Sequence, residues 1–542
     1  MLNIREATAR DVAAIRDIFL ATYKTDYTDA RLYDEGLLTR LVYSEDSLLL
    51  VAEDSTGRIV GTASVDLEVG AHSDLVGEFC RLAVHPDCRN RGVAKVLMDE
   101  RVRRVQDRIQ VGLVEARVSH LFSLRIAEKH GFCVVGFLPD RWRLRTRESL
   151  ALLVRYFSNA LELRNNHPRI IPEVHALAHM SLENCKLKAD AIVDEDAPPY
   201  PPGGSFEMQE LTTEGYAALL RIERGRVRRR EIFGPARLHY GIFKLQNRRS
   251  RYLIAREAGR IVGAVGFTLD PVDKAVRIFE LIALHDGVIR FLLSDLERSC
   301  RENWDCLIEA DVSAHAPRMQ RTLLELGFLP VAYLPALVFH HVERLDVVKM
   351  LRLLTPPEAH TAGLTPSCEA FAGLVLRLFR SRTVLPRIAD AVHHLSLFAG
   401  LTDEQIARLA GACALAEFKP GETIFVEGQS AQQMHVLLDG EAAVSVSESM
   451  TPVGVVRRGE CLGEVSFLTG AEHSASVKAV TPVETAVLER SDLLELIRLR
   501  PDIGLHIYRN LAFGAGEKLK RLDVSLTGVD SRAPSGIASR RK

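Results

Sequence analysis

The sequence predicts an α/β chain in which a mixed sheet flanked by helices is built twice, followed by a C-terminal β-roll or jelly roll with flanking helices. Three observations carry this. Strand-like and helix-like runs alternate over the first 150 residues, with helices that close on glycine. The same pattern returns after the Pro/Gly-rich stretch Asp194–Gly204. From residue 396 onward the rhythm changes to short strands punctuated by Gly421, Gly428, Gly440, Gly459 and Gly463. The expected boundaries are therefore 1–150, a helical segment and linker over 151–204, a second copy over 205–350, a helical connector over 351–395, the roll over 396–523, and a disordered tail over 524–542.

Composition narrows the class. Hydrophobic content of 47% and charged content of 26% over 542 residues suit several globular cores. A net charge of −1 gives no pull toward nucleic acid or a membrane surface. Nine scattered cysteines without a Cys-x-x-Cys pair point to reduced thiols in a cytoplasm. No apolar run approaches a membrane span, and Met1-Leu-Asn-Ile-Arg-Glu carries charge where a signal peptide needs an apolar core.

In chain order, Leu2–Ala7 alternates as a strand and Thr8 caps a helix to Tyr23, with Val12, Ile15, Ile18 and Phe19 on one face. Leu48–Ala52 and Ile59–Val65 form a hairpin around Asp54-Ser-Thr-Gly57. Glu78–Val84 is the next strand, and Val93–Val102 the next helix. Between them lies Arg89-Asn90-Arg91-Gly92-Val93-Ala94. A tight turn opening a helix offers unpaired N–H groups and the positive end of the helix dipole. Small residues at Gly92 and Ala94 let a phosphate approach, and Arg89 and Arg91 add charge. A further helix ends at Gly131-Phe132.

Strand, Arg-x-x-Gly-x-Ala turn, helix, strand, helix and Gly-Phe strand resemble the Gcn5-related N-acetyltransferases (GNAT) over roughly residues 1–145. The resemblance implies an acyltransferase of the EC 2.3.1 class that uses acetyl-CoA, held at Arg89, Arg91, Gly92, Val93 and Ala94. It implies Glu78 as general base, Leu82 and Val84 offering main-chain groups to the pantetheine arm, and the Val84 N–H near the developing oxyanion. Many family members carry a tyrosine as acid where this chain has Ala127; His120 and Ser123 are the local substitutes.

The run Arg141–Arg147 alternates with period two and reads as a solvated edge strand, and residues 148–195 read as helical. His175 and His179 stand at i, i+4 without a third ligand of metal-site spacing, so no metal is expected.

In the second copy Gly57-Arg-Ile-Val-Gly61 returns as Gly259-Arg-Ile-Val-Gly263, and Gly131-Phe132 as Gly327-Phe328. Phe79–His85 aligns with Phe279–His285, which puts Ile278 at the base position. Between histidine and glycine the first copy has Pro86 to Arg91; the second has only Asp286. Such a copy resembles a GNAT domain without its anion cradle, and is left with packing, homodimerisation or substrate presentation. The run Arg224–Arg230 reads as a solvated helix face.

Residues 396–523 resemble a cyclic-nucleotide-binding domain through Lys419-Pro-Gly-Glu422, Leu437-Leu-Asp-Gly440 and Gly459-Glu-Cys-Leu-Gly-Glu464. The resemblance implies a cAMP or cGMP site at Gly463, Glu464, Val465, His473 and Ser474, with Glu464 accepting the ribose 2′-OH. Histidine at 473 replaces the family's phosphate-clamping arginine, and cannot make a bidentate phosphate contact. The roll leaves no room for a helix-turn-helix. Two functions follow from the sequence: a bacterial N-acyltransferase acting on a protein lysine or a small amine under control of the C-terminal domain, or a non-enzymatic acyl-CoA or nucleotide sensor or scaffold.

Overall fold

The computed structural model describes residues 2–530 apart from 28, 68–73, 120, 144–146, 226–229, 236–237, 239–249, 305, 356, 358–362, 392–394, 431 and 447–453. His120 and most of the Arg224–Arg230 run lie outside the described residues. The chain divides into two compact units, 1–376 and 377–542.

The first unit begins with β1 (Asn3–Glu6), α1 (Val12–Tyr23), α2 (Glu35–Val42), β2 (Ser47–Glu53), β3 (Ile59–Asp66) and β4 (Val76–Val84). It continues with α3 (Val93–Val105), β5 (Val111–Arg117), α4 (Leu121–Lys129), β6 (Cys133–Arg143) and β7 (Arg147–Tyr156). Thr8 and Asp11 form a capping box ahead of α1. The periodic face read from the sequence, Val12, Ile15, Ile18 and Phe19, packs on Leu49, Val51 and Ala83 of the sheet. Residues 148–156, expected to be helical, are the buried strand β7 between β5 and β6. Leu150–Val154 is an apolar run covered on both faces, and such a run shows no period that separates strand from helix. The first fold thus runs past residue 150, and α5 (Pro172–Asn184) is the one helix of the following segment.

A small parallel pair, β8 (Arg169–Ile170) and β9 (Ile192–Val193), precedes the second copy. That copy repeats the order, with strand β11 standing among the described residues where the first has α2: β10 (Glu207–Glu210), α6 (Thr213–Gly225), β11 (Ile232–Phe233), β12 (Ser250–Glu257), β13 (Arg260–Asp270), β14 (Ala275–Ala283), α7 (Asp286–Ser299), β15 (Leu307–Ser313), α8 (Pro317–Glu325), β16 (Leu329–His340) and β17 (Glu343–Arg352). The two copies share one sheet, in the order β1-β2-β3-β4-β5-β7-β6-β16-β17-β15-β14-β13-β12-β10. They meet where Gly136 of β6 pairs with Ala332 of β16. A Cβ on Gly136 would lie 2.1 Å from that of Ala332, so the junction requires a bare backbone.

Polar side chains tie the copies together. Arg141, expected on a solvated edge, is half-buried and donates to Glu309 at 3.0 Å, with Asp273 at 3.7 Å. Arg344 reaches Gln110 at 2.6 Å and the Asp74 carbonyl at 2.8 Å. Neither partner is near in sequence, which is why an alternating arginine run looked solvent-facing.

α9 (Pro366–Ala391) runs into the second unit, where α10 (Asp403–Gly411) carries the Thr402–Gln405 capping box. Two four-stranded antiparallel sheets follow. One holds β18 (Cys413–Phe418), β25 (Val483–Glu489), β20 (Gln433–Asp439) and β23 (Cys461–Leu462); the other β19 (Thr423–Phe425), β24 (Ser476–Ala479), β21 (Glu441–Ser445) and β22 (Gly454–Arg457). Helices α11 (Glu464–Thr469), α12 (Arg490–Leu499) and α13 (Pro501–Asp530) complete it. The tail expected to be disordered from 524 is helical as far as Asp530. Among the described residues, no helix is long and apolar enough to cross a membrane.

Candidate functional site

β4 and β5 pair in parallel at Val76, Gly77 and Glu78, and beyond Glu78 no pairing joins them among the described residues. The sheet therefore opens along the rest of β4. His85 N–H donates to Val60 on the β3 side at 2.9 Å, so the Val84 N–H, one residue earlier, points the other way, into the opening. At its end the chain turns through Asn90 (φ 62°) and Gly92 (φ 77°), and Gly92 caps α3 without any side-chain acceptor. A Cβ on Gly92 would meet nothing within 4 Å, so the left-handed torsion, not crowding, selects glycine here.

A cavity of about 850 Å³ joins this turn to the opening; Leu82, Val84, Arg89, Gly92, Val93 and Ala94 line it. Arg91 is exposed and is not among its lining residues. Lys95 takes part instead, a residue the motif did not single out although it lies in the first turn of the helix. The donor set of helix-start N–H groups, Arg89 and Lys95 fits a diphosphate.

Glu78 lines a second chamber of about 90 Å³ deeper in the opening. Tyr23, Leu82, Arg117, Ser123 and Ile126 border both spaces, so the two cavities adjoin. Burial pushes the Glu78 carboxyl up to about 7, helped by the charges of Glu115 and Asp66 and opposed by Arg81 and Arg277. The β4 bulge that sets this wall has Arg81 at φ 52°, held by Asp66 at 2.6 Å and Asp29 at 2.9 Å. Ala127 lines the chamber with no titratable group to give. Tyr23 does have one: burial raises its pKa above the usual phenol value, which keeps its proton in place. Only the fold brings the end of α1 to the cleft, and no local signal marks Tyr23.

The second copy has lost this site in three ways. Eight residues separate β4 from α3, but only Leu284 and His285 separate β14 from α7. β11 fills the equivalent opening by pairing Ile232 with Val312 and Phe233 with Asp311 of β15. The strand register also corrects the alignment: Glu78 lies opposite Leu113, and its counterpart opposite Glu309 is Arg277, not Ile278. The bulges in β4 and β14 fall at different places, which shifts the alignment by one residue. Arg277 is spent on Asp311 at 2.7 Å, which Lys349 also contacts at 2.6 Å.

In the second unit Gly463 (φ 76°) caps the short helix α11, and Glu464 is buried with its carboxylate accepting from Lys518 of α13 at 2.7 Å. His473 is buried, its ring 4.1 Å from that of Phe425, and burial lowers its pKa. Phe425 also closes against Gly463. Val465 and Ser474 are exposed. Of the predicted nucleotide residues, Gly463 and His473 thus meet at Phe425, and Glu464 is engaged by α13. His179 pairs with Glu183 at 3.2 Å, and among the described residues no cluster of three or more His, Cys, Asp or Glu has metal-site spacing.

Residues 12–132 match the model of the acetyltransferase (GNAT) family, and residues 415–500 match that of the cyclic nucleotide-binding domain. The chain therefore carries a GNAT acetyltransferase-family domain and a C-terminal cyclic-nucleotide-binding-family domain. A cAMP-dependent protein kinase regulatory subunit from Colletotrichum orbiculare is 29% identical over 147 residues, covering 26% of this chain and 38% of that one. The chain spans less than half the length of the curated relatives it matches. Among solved structures, a putative phosphinothricin N-acetyltransferase is 25% identical over 29% of this chain and 99% of that one, at a TM-score of 0.27. A Sinorhizobium meliloti GNAT superfamily phosphinothricin acetyltransferase in complex with AcCoA is 18% identical over 29% of this chain and 89% of that one, also at 0.27.

Proposed function

We propose that the protein is an acyl-CoA-dependent N-acyltransferase of the cytoplasm, acting on a protein lysine or a small amine and regulated through its C-terminal domain by a cyclic nucleotide. One observation carries the reading: helix-start N–H groups and a carboxyl near neutral pKa line two adjoining cavities along a splayed strand pair. Bound acyl-CoA would supply an activated thioester carbonyl. Arg89, Lys95 and the N–H groups at Val93 and Ala94 hold its diphosphate. The Val84 N–H, aimed into the opening, donates to the carbonyl oxygen as charge gathers there. Glu78, half ionised near pH 7, takes the proton from the attacking amine, directly or through one water. Tyr23, protonated and bordering both parts of the cleft, returns a proton to the departing sulfur, a role that Ala127 cannot fill.

The test is acetyl-CoA-dependent acetylation of an amine and lysine-peptide panel by wild type and Glu78→Gln. Turnover that vanishes in the variant supports the enzyme; coenzyme A binding without turnover in wild type supports the rival sensor. The Glu464–Lys518 contact bears on the regulatory half alone: a cyclic nucleotide whose ribose used the Glu464 carboxylate would have to displace Lys518.

A further inference from the structure

The proposed chemistry leaves Arg101 unused. It sits in α3 facing the sheet, 2% exposed, with its guanidinium over the Phe79 ring at 5.3 Å. Nη1 donates to the carbonyls of Ser64 at 3.1 Å and Cys80 at 3.2 Å, beside the β4 bulge. Nη2 reaches only the Met98 sulfur at 2.9 Å, and Nε has no partner. Nε–H and Nη2–H are the parallel pair on one edge of the guanidinium that grips both oxygens of a carboxylate. A thioether is a weak acceptor and leaves that pair largely unspent.

No acid compensates the charge: burial lowers the Arg101 pKa to about 10, and only the Cys80 thiol opposes it. A buried cation without a counter-charge is costly to keep. Met98, Arg101 and Ala127 line the same chamber as Glu78 and Leu82. At about 90 Å³, it holds several groups of water size, each needing roughly 10–15 Å³. Ala127, which lines the chamber from α4, contributes only a methyl to it.

We propose that this chamber selects an acyl group ending in a carboxylate, a short dicarboxylic half-thioester of malonyl to succinyl size, whose free carboxylate is bound by the Nε/Nη2 edge of Arg101. The inference rests on the acyltransferase reading of the cleft. In the transfer, the amine nitrogen forms a bond to the thioester carbon while the C–S bond breaks. The amine proton goes to Glu78, the sulfur takes a proton, and the remote carboxylate passes to product unchanged.

Calorimetric titration of the full chain with coenzyme A, acetyl-CoA, butyryl-CoA and succinyl-CoA tests this without knowledge of the acceptor. Butyryl and succinyl groups have the same chain length and differ at the terminal carboxylate. Succinyl-CoA should bind at least tenfold tighter than butyryl-CoA. Arg101→Met should remove that preference, and Arg101→Lys should keep part of it. Equal affinities in wild type, or an Arg101→Met variant that weakens both ligands alike, overturn the proposal. Should Arg101→Met fail to fold, Ala127→Leu fills the chamber and leaves the bulge carbonyl bonds in place. It should lower the succinyl-to-acetyl affinity ratio at least tenfold, and an unchanged ratio overturns the proposal equally. Absent coenzyme A binding defeats the cleft reading and this inference with it. Coenzyme A binding without a carboxylate preference defeats this inference alone.

Discussion

Replacing Glu78 with glutamine perturbs catalysis and stability in opposite directions, and the structure gives a size for each. A carboxyl held at about 7 instead of 4.5 costs the ionised fold roughly 3 kcal/mol, at about 1.4 kcal/mol for each factor of ten. Glu78 is only partly buried, and solvent reaching it makes that figure a ceiling. Because the folded value is raised, the fold keeps a proton that the unfolded chain has lost between pH 4.5 and 7. The cost is absent below the lower value and complete above the upper one. Glutamine carries no such cost. Denaturant unfolding should therefore give similar midpoints for wild type and Glu78→Gln near pH 4.5, and a more stable variant at pH 8. Over the same range, wild-type kcat/KM should climb through pH 7 as the base ionises, and the variant should lose about 10²–10⁴ in rate. A variant that is no more stable at pH 8 and retains its turnover would refute both the raised carboxyl and its role.

Three further outcomes follow from the geometry. Gly92→Val forces a branched side chain into a left-handed torsion at about 1–2 kcal/mol, and should raise the KM for acetyl-CoA about tenfold with little change in kcat. Arg141→Ala removes the donor that Glu309 accepts from and the cation beside Asp273, and should cost about 1–3 kcal/mol in denaturant unfolding at pH 7. Burial pushes Glu309 up, but Arg141, Lys349 and Arg277 outweigh it and hold it below its usual range. The stability it contributes is therefore present above the unfolded carboxylate value and lost in acid, where the wild-type advantage over Arg141→Ala should shrink. His473→Arg supplies the fork that a phosphate needs; cyclic AMP should then give a larger thermal shift than it gives wild type, and an unchanged shift would show that Phe425 keeps position 473 out of any ligand's reach.

The parts of the site legible in the sequence are the local ones. The turn at Arg89–Ala94 carries its own chemistry, since glycine torsion and helix start are properties of a few adjacent residues. The face of α1 and the glycine turns of the roll are readable for the same reason. What escaped depends on distant chain. β7 looked helical because Leu150–Val154 is covered by neighbours on both faces and shows no alternation. Arg141 looked solvated because Glu309 and Asp273 arrive from the other copy. Tyr23 and Arg101 enter the cleft from α1 and α3, and no spacing within either helix distinguishes them from packing residues. The Arg277 correction has a subtler cause: one extra residue in each strand, at unlike positions, keeps similar sequences aligned while their side chains trade places.

The second copy is tied to the first although it lacks the phosphate turn. Its own opening is stitched shut by Ile232 and Phe233 of β11, and the turn that would hold a phosphate is reduced to two residues. Yet it supplies β16, the only strand recorded as pairing with β6 besides β7 among the described residues, and Glu309, which anchors Arg141 at the end of that strand. Trp142, next along, lines the Glu78 chamber and meets Tyr27 edge-on at 5.8 Å. Arg277 adds a positive charge that partly offsets the upward push on Glu78. A domain without the phosphate turn thus fixes one wall of its neighbour's chamber and tempers the carboxyl inside it. Loss of that wall should be felt as a changed Glu78 titration before it is felt as a lost fold.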